Sequence, residues 1–171
     1  MTTISATTIL RSRNGAAPEK VLSTLLLRYP RCIHAEFMTH RVFSRNAASS
    51  RAIPVEKLIK DVEENPFIPV VWGSNQRGMQ AGDEIDHLVF IPYCEAGRVG
   101  LSGNPEEAKT AWLLARDFAV ETARSFSDSG YHKQIVNRLL EPFAHITVLV
   151  SSTEWDNFLE LRDHPDAEPH I

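Results

Sequence analysis

The alternation of hydrophobic and polar residues divides the chain into short strands and amphipathic helices. Stretches in which β-branched or aliphatic residues alternate with polar ones, between turn-forming residues, are typical of strands. This pattern predicts strands at residues 4–10, 21–28, 87–93 and 143–152. The run Arg13-Asn14-Gly15 is expected to end the first strand in a turn.

Apolar residues at helical spacing predict helices at residues 32–41, 55–65, 104–126, 131–140 and 153–162. In the first helix, Glu36 and His40 would lie about one turn apart on a common face. The longest helix would begin with Asn104 as N-cap and Pro105 in the first position. Ser152 or Thr153 would cap the last one. Because strands and helices do not alternate regularly, the order predicts a mixed α+β fold.

The chain has 171 residues, of which 43% are hydrophobic, and this predicts one domain over residues 1–171. A formal net charge of -4 argues against binding to duplex DNA or an anionic membrane surface. The sequence contains neither a signal-peptide pattern nor a membrane-spanning run, so we expect a cytoplasmic protein. Cys32 and Cys94 form no CxxC pair, and the histidines lack metal-site spacing, so no metal site is predicted.

One segment, residues 40–51 with the sequence HRVFSRNAASSR, concentrates groups that bind phosphate. We call it the arginine-rich segment. Arginine offers a planar set of donors, serine adds hydroxyl groups, and small residues let backbone amides approach a ligand. Residues 43–52 are expected to form a loop, and a solvated surface loop is the alternative to a binding site. An RNA-binding module is disfavoured because Phe43 is the only aromatic residue in the segment and the chain is acidic.

The arginine-rich segment resembles the signature of the flavin-dependent thymidylate synthases. The pattern His-Arg-x-x-Ser-x-Asn-x-x-Ser-x-Arg is met at His40, Arg41, Ser44, Asn46, Ser49 and Arg51. The later sequences HKQIVNRLLEPF and TEWDNFLELR are similar to the C-terminal half of that family. The resemblance extends from about Pro30 onward, with residues 87–104 as a predicted insertion.

The resemblance implies an antiparallel or mixed sheet flanked by helices and a homotetramer whose subunits share active sites. It implies transfer of a one-carbon unit from methylenetetrahydrofolate to C5 of dUMP to form dTMP, with FAD as cofactor and NADPH as reductant. In such an enzyme the flavin carries the difficult chemistry. The protein orients and polarises the pyrimidine.

The resemblance also assigns roles to individual residues. The candidate flavin contacts are His40, Arg41, Ser44, Asn46 and Asn157. The candidate nucleotide contacts are Glu36, Ser49, Arg51, Arg138 and Arg162. Among the latter, Ser49, Arg51 and Arg138 would anchor the phosphate and sugar, and Arg162 would contact the pyrimidine ring as the catalytic residue. Arg162 also stands at the end of a predicted helix, where a cation is favoured by the helix dipole, and Arg138 is equally consistent with a helix-face arginine.

Departures from the family pattern leave the substrate open. Thr39, Ala47 and Ala52 stand where the family has an arginine, an acidic residue and an aromatic residue. The alternatives are therefore a related methylase or hydroxymethylase that acts on dCMP or dUMP, and an inactive nucleotide-binding member of the family. The chain ends at DAEPHI, before the family's next helix, so a fragment or a shortened C-terminus is expected. Residues 75–80 could serve folate, nicotinamide or a subunit contact, or form a structured surface loop.

Overall fold

The computed structural model describes residues 4–95 and 98–170. The strands are β1 (Ser5–Asn14), β2 (Ala17–Pro30), β3 (Ser44–Ala47), β4 (Val89–Glu95), β5 (Arg98–Glu106) and β6 (His145–Ser152). Four of them form an antiparallel sheet in the order β1-β2-β6-β3, and β4 and β5 form a separate hairpin. The predicted α+β class with an antiparallel sheet is therefore confirmed.

Helices pack on one face of the four-stranded sheet and at one end of the other face. They are α1 (His34–Met38), α2 (Val55–Glu64), α3 (Ala108–Asp128), α4 (Lys133–Val136) and α5 (Asp156–Arg162). Short 3-10 turns precede α1, follow β3 and connect α4 to β6, at Arg31–Ile33, Ser50–Ala52, Asn137–Leu139 and Glu141–Phe143. No helix within the described ranges is both long and apolar enough to cross a bilayer.

Strand β6 contributes to the first of two hydrophobic clusters. Its residues Ile146, Val148 and Val150 are buried on one face, which we call the inner face. They pack with the aromatic residues that α1, α5 and the neighbouring loops provide: Tyr29, Phe37, Phe43, Trp155 and Phe158. The second cluster lies where α2, α3 and α4 meet and contains Ile59, Val62, Val120, Val136 and Leu140. The alternation along β6 follows the period of two that predicted this strand.

The sheet's other face, the outer face, is largely uncovered in the single chain. Cross-strand neighbours point to the same side of a sheet, so register assigns the outer residues. Leu22, Thr24 and Leu26 alternate along β2 and lie on the outer face. Leu149 is paired with Leu26, and Leu10 is paired with Thr24, so these two leucines lie there as well. All four leucines are exposed. At one end of this face, Arg28 of β2 makes two 2.9 Å hydrogen bonds to Asp61 of α2, which fixes the helix against the sheet.

The sequence predicted a continuous loop at residues 43–52, but the structure shows that part of the arginine-rich segment is a strand. Residues 44–47 form strand β3, with Ser44 opposite Ser151 and Ala47 opposite Val148 of β6. The segment has low strand propensity, but pairing with a neighbouring strand overrides local preference. β1 and β2 are also longer than predicted, because each continues the pairing of the other up to the turn at Asn14.

Several predicted helix starts were wrong. The longest helix begins at Ala108 with Glu107 as N-cap, since Asn104 and Pro105 belong to β5, where Pro105 pairs with Phe90 of β4. The predicted insertion thus contains a hairpin, of which residues 96 and 97 lie outside the described part. The last helix begins at Asp156 and not at residue 153. The Ser152 hydroxyl accepts a hydrogen bond from the backbone N–H of Glu154, which forms a turn before the helix. The helix predicted at 131–140 is α4 followed by 3-10 turns.

The first helix is also shorter than predicted. α1 ends at Met38, so His40 lies beyond it and is buried, whereas Glu36 is exposed. The common face expected for these two residues does not form. The cause is Arg45, whose Nη1 donates to the carbonyl oxygens of Phe37 at 3.1 Å and His40 at 2.9 Å. These bonds satisfy carbonyl groups at the helix end, where the chain turns toward β3.

Candidate functional site

Strand β3 divides the arginine-rich segment into two groups of residues. Within the strand, register places Arg45 and Ala47 on the inner face with Val150 and Val148, and places Ser44 and Asn46 on the outer face. Residues before the strand pack with the aromatic cluster. Residues after it pack toward the cluster beneath α2, which includes Ile53. The segment therefore contributes to two places on the molecule.

The first place contains His40 and Arg162. The His40 side chain is buried, with its residue 7% exposed, and its ring stacks on Phe43 and meets Phe158 edge-on at 4.9 Å. Its Nε2 accepts a hydrogen bond of 3.0 Å from Nε of Arg162, in the last turn of α5. Burial, and then the positive charges of Arg162 and Arg45, lower the pKa of His40 below its ordinary value of 6.5. His40 is therefore neutral near pH 7.

The second place is the turn at residues 50–53. Three side chains spaced four residues apart in the sequence form hydrogen bonds to this turn. Nδ2 of Asn137 donates to the carbonyl oxygens of Ser50 at 2.7 Å and Ile53 at 3.0 Å. Nζ of Lys133 donates to the carbonyl of Ala52 at 3.4 Å. The Ser50 hydroxyl donates to Glu141 at 2.7 Å. Lys133, Asn137 and Glu141 together fix this turn.

Glu141 also forms ion pairs with two arginines beside the same turn. Its carboxylate lies 3.2 Å from Nη2 of Arg31 and 3.9 Å from Nη1 of Arg138. Arg31 is largely buried, whereas the Arg138 side chain is 60% exposed and loosely held. Ser49 and Arg51, on either side of Ser50, are exposed as well. The turn therefore presents hydroxyl and guanidinium donors to solvent over a rigid support.

A cleft of about 460 Å³ opens beside this turn, between the outer face of the sheet and α2. Its walls include apolar residues of α2 and β6, while cationic groups lie along it: Arg28, Arg31, Lys57 and Lys60. Asp61, Glu141 and Glu64 neutralise three of these cations. Among the described residues, Lys57 makes no ion pair, so the cleft retains an excess of positive charge suited to an anionic ligand.

The structure thus brings some predicted site residues together and separates others. His40 and Arg162 are in direct contact. Arg138 lies at the turn that carries Ser49 and Arg51, because its neighbour Asn137 is bonded to that turn. The other predicted residues are exposed and dispersed: Glu36, Arg41, Ser44, Asn46 and Asn157. Arg45 was expected in the phosphate-binding loop, but its Nη1 instead donates hydrogen bonds to the backbone carbonyl groups of Phe37 and His40.

The prediction overlooked the residues that support the second place, namely Arg31, Ser50, Asn137 and Glu141. A signal was present in the spacing of Lys133, Asn137 and Glu141, since polar residues four apart share one side of a helix. It could not reveal what the residues contact, because the turn at 50–53 is more than 80 positions away along the chain.

Two other expectations concern metals and residues 75–80. The described residues contain no group of three or more His, Cys, Asp or Glu side chains arranged to hold a metal ion. Residues 75–80 belong to a structured surface loop: Gln76 donates to the carbonyl oxygens of Gln80 and Ala81, and Gln80 donates to that of Asp166. The side chain of Cys94 lies outside the described part, and Cys32 is exposed and free.

Taken together, these elements define a mixed α+β protein with a polar, cation-rich site on an antiparallel sheet. No family model matches the chain, and no curated protein matches it. Solved structures do. One is PolB from Streptomyces cacaoi, a UMP/dUMP methylase bound with 5-Br UMP, at 16% identity and a TM-score of 0.54 over 100% of this chain and 84% of PolB.

The same protein bound with 5-Br dUMP matches at 15% identity and a TM-score of 0.57, over 95% of this chain and 79% of the other. At this level of identity the similarity establishes the fold. The chain therefore folds like PolB throughout most of its length.

Replacing Asn137 tests whether its side chain holds the turn. Asn137→Ala leaves the buried carbonyl groups of Ser50 and Ile53 without their donor, so the free energy of unfolding should fall by about 2–4 kcal/mol. Amide hydrogen exchange of residues 50–53 should accelerate. Gln134→Ala, at an exposed position of the preceding helix α4, is the control and should change neither quantity. Unchanged exchange in Asn137→Ala would contradict this anchoring role.

His145 predicts how stability depends on pH. Burial, and then the charge of Arg28, lower its pKa to about 4, although Asp61 acts in the opposite direction. Below pH 6.5 His145 binds a proton in the unfolded chain but stays neutral in the folded protein. The free energy of unfolding should therefore decrease as the pH falls from 6.5 to 4. The contribution of this residue is up to about 3 kcal/mol.

Denaturant titrations across this pH range measure the effect. His145→Gln should flatten the pH dependence, whereas His87→Gln, at an exposed histidine, should retain the slope of the natural protein. Identical slopes for the natural protein and His145→Gln would rule out a depressed pKa for His145.

Proposed function

We propose that the protein is a flavin-dependent enzyme that transfers a one-carbon unit from methylenetetrahydrofolate to C5 of a uracil nucleoside monophosphate, with dUMP as the substrate and dTMP as the product. The observation that carries this proposal is that Ser49 and Arg51 flank Ser50 in a braced turn, and that Arg138 pairs with Glu141, which accepts the Ser50 hydroxyl. Hydroxyl and guanidinium groups in this arrangement are suited to a phosphate group. The fold shared with a UMP/dUMP methylase supports the same class of substrate.

The exposed donors fit a flavin cofactor. Arg41 and Asn157 near the inner face, and Ser44 and Asn46 on the outer face, have side chains that bond to no other described residue. FAD, when bound, supplies the redox chemistry of the reaction. These side chains would bind it through its polar atoms, with the two pairs coming from different copies of the chain because they lie on opposite faces of one sheet. His40 fits a direct flavin contact poorly, because its Nε2 is already bonded to Arg162.

Arg162 is suited to the pyrimidine ring. A guanidinium group stabilises negative charge that develops on the ring and its carbonyl oxygens during substitution at C5. Arg31, Arg51 and Arg138 would hold the phosphate, which orients the ring without taking part in bond changes. No cysteine nucleophile is required, and partial burial, followed by the charge of Glu168, raises the pKa of Cys32 and so disfavours its reactive thiolate.

A homotetramer with shared active sites is part of the proposal, and the separation of these groups within one chain supports sharing. Arg162 packs with the inner-face cluster, whereas the turn carrying Ser49 and Arg51 packs toward the cluster beneath α2. Residues of one chain on opposite sides of a sheet cannot enclose one small nucleotide. Copies of the chain that meet on the exposed outer-face leucines would bury that apolar surface, and further contacts would supply the other half of each site.

Thr39, Ala47 and Ala52 favour one further candidate, a change of base or product. Ala47 is exposed beside the turn and offers no carboxylate to a ligand. A cytosine nucleotide as substrate, or a hydroxymethyl product, would be consistent with that loss. The product formed from dUMP, UMP and dCMP therefore forms part of the test.

The proposal is tested by incubating the protein with FAD, NADPH, methylenetetrahydrofolate and each nucleotide in turn, followed by mass spectrometry. We expect a methylated product from dUMP. Arg138→Ala should weaken nucleotide binding about 10- to 100-fold, because it removes a charge-assisted contact. Arg77→Ala removes another exposed arginine, from a loop outside the site, and should bind normally.

Failure to bind both FAD and every nucleotide would refute the proposed function. Binding of nucleotide without turnover would instead identify an inactive nucleotide-binding protein. Equal affinities of the two arginine variants would exclude Arg138 from the phosphate site.

A further inference from the structure

The contact between His40 and Arg162 joins two residues that are 122 positions apart along the chain. Arg162 approaches from α5, and His40 follows α1 immediately before β3. The imidazole ring is held by Phe43 on its face and by Phe158 at its edge, with centroid distances of 6.0 Å and 4.9 Å. A buried ring with aromatic neighbours on two sides has little freedom to rotate, so it is a rigid acceptor.

The direction of the hydrogen bond determines the chemical form of His40. An arginine N–H can only donate, so Nε2 of His40 must carry a lone pair. The ring is therefore neutral and has its proton on Nδ1. The bond uses the Nε–H of Arg162, and within the described residues neither terminal nitrogen of that guanidinium has a partner. Their four N–H groups remain available to a ligand, and their orientation is set by the bond at Nε.

We propose that His40 is a positioning residue that presents the terminal nitrogens of Arg162 to the pyrimidine ring of a nucleotide. This inference rests on the proposed function, and it changes the role of His40 from a flavin contact to a support for nucleotide binding. Arg41, which is exposed, remains available for the flavin. A ligand that reached Nε2 of His40 would first have to displace Arg162.

The geometry makes this positioning sensitive to protonation. A proton on Nε2 of His40 removes the acceptor and places a second cation beside Arg162. The charged groups that face His40 are Arg162 from α5 and Arg45 from β3, and both are positive. They disfavour the imidazolium, as does burial, so the pKa of His40 is lowered. Nucleotide binding should therefore persist at pH 6.5 and decline as the pH falls through that lowered pKa.

Two substitutions separate positioning from packing. His40→Gln provides a side-chain oxygen near the position of Nε2 that accepts from Arg162 and does not titrate. His40→Phe fills the aromatic site and provides no acceptor. Dissociation constants for 5-bromo-dUMP and for FAD are measured from pH 4.5 to 8, together with the thermal unfolding of each variant. Glu160→Gln, at an exposed position of α5, is the control.

We expect His40→Phe to weaken 5-bromo-dUMP binding about tenfold or more at pH 7.5, since a group held by a charged hydrogen bond loses its orientation. Its affinity for FAD should change less than about threefold, which is within the spread of indirect effects. His40→Gln should bind 5-bromo-dUMP nearly as well as the natural protein and lose the decline at acid pH. Arg41→Gln should show the converse pattern, with FAD weakened and 5-bromo-dUMP retained.

Three outcomes would overturn the inference. Nucleotide affinity of His40→Phe equal to that of the natural protein would exclude positioning. Weakened FAD binding with normal nucleotide binding in that variant would restore the flavin contact. An unchanged acid decline in His40→Gln would assign the titration to another group. If the natural protein binds no pyrimidine nucleotide, the proposed function fails and the inference fails with it, whereas the first three outcomes leave that function intact.

Discussion

The pairing of the arginine-rich segment with strand β6 is the interaction on which the arrangement of the site depends. Four residues of a polar, small-residue sequence become a strand because β6 offers an unpaired edge, and β6 is itself held by hydrophobic contacts on its inner face. This short strand sets where the rest of the segment goes. His40 enters the aromatic cluster before it, and Ser49 and Arg51 reach the turn after it.

The turn after β3 is rigid because distant side chains satisfy its backbone. Asn137 is fully buried and bonds to two of its carbonyl groups, and Glu141 accepts the hydroxyl of Ser50. Buried hydrogen bonds of this kind are costly to break, so they hold exposed donors in fixed positions. The same principle applies at the first place, where aromatic packing of His40 constrains Arg162. Arg138 and Arg162 thus each have a buried polar neighbour, Asn137 and His40 respectively.

The sequence predicted the class of fold and the segment that carries the site, because periodicity and residue chemistry are local properties. It missed β3 and the true start of α3, since both depend on strand pairs between Ser44 and Ser151 and between Pro105 and Phe90. Resemblance named both His40 and Arg162 as site residues and assigned them to different ligands, whereas the structure shows the two side chains in contact. Arg31 had no signal of its own, and the spacing that included Asn137 could not reveal its partners, because both residues matter through contacts that only the folded chain creates.

The central claim is that this site directs substitution at C5 of a uracil nucleotide. The release of tritium from dUMP labelled at C5 measures that substitution directly, since the hydrogen at C5 must leave when a carbon unit takes its place. With FAD, NADPH and methylenetetrahydrofolate present, the account predicts that tritium enters the solvent in step with product formation. Full retention of tritium on the nucleotide, by a protein that binds both dUMP and FAD, would contradict it.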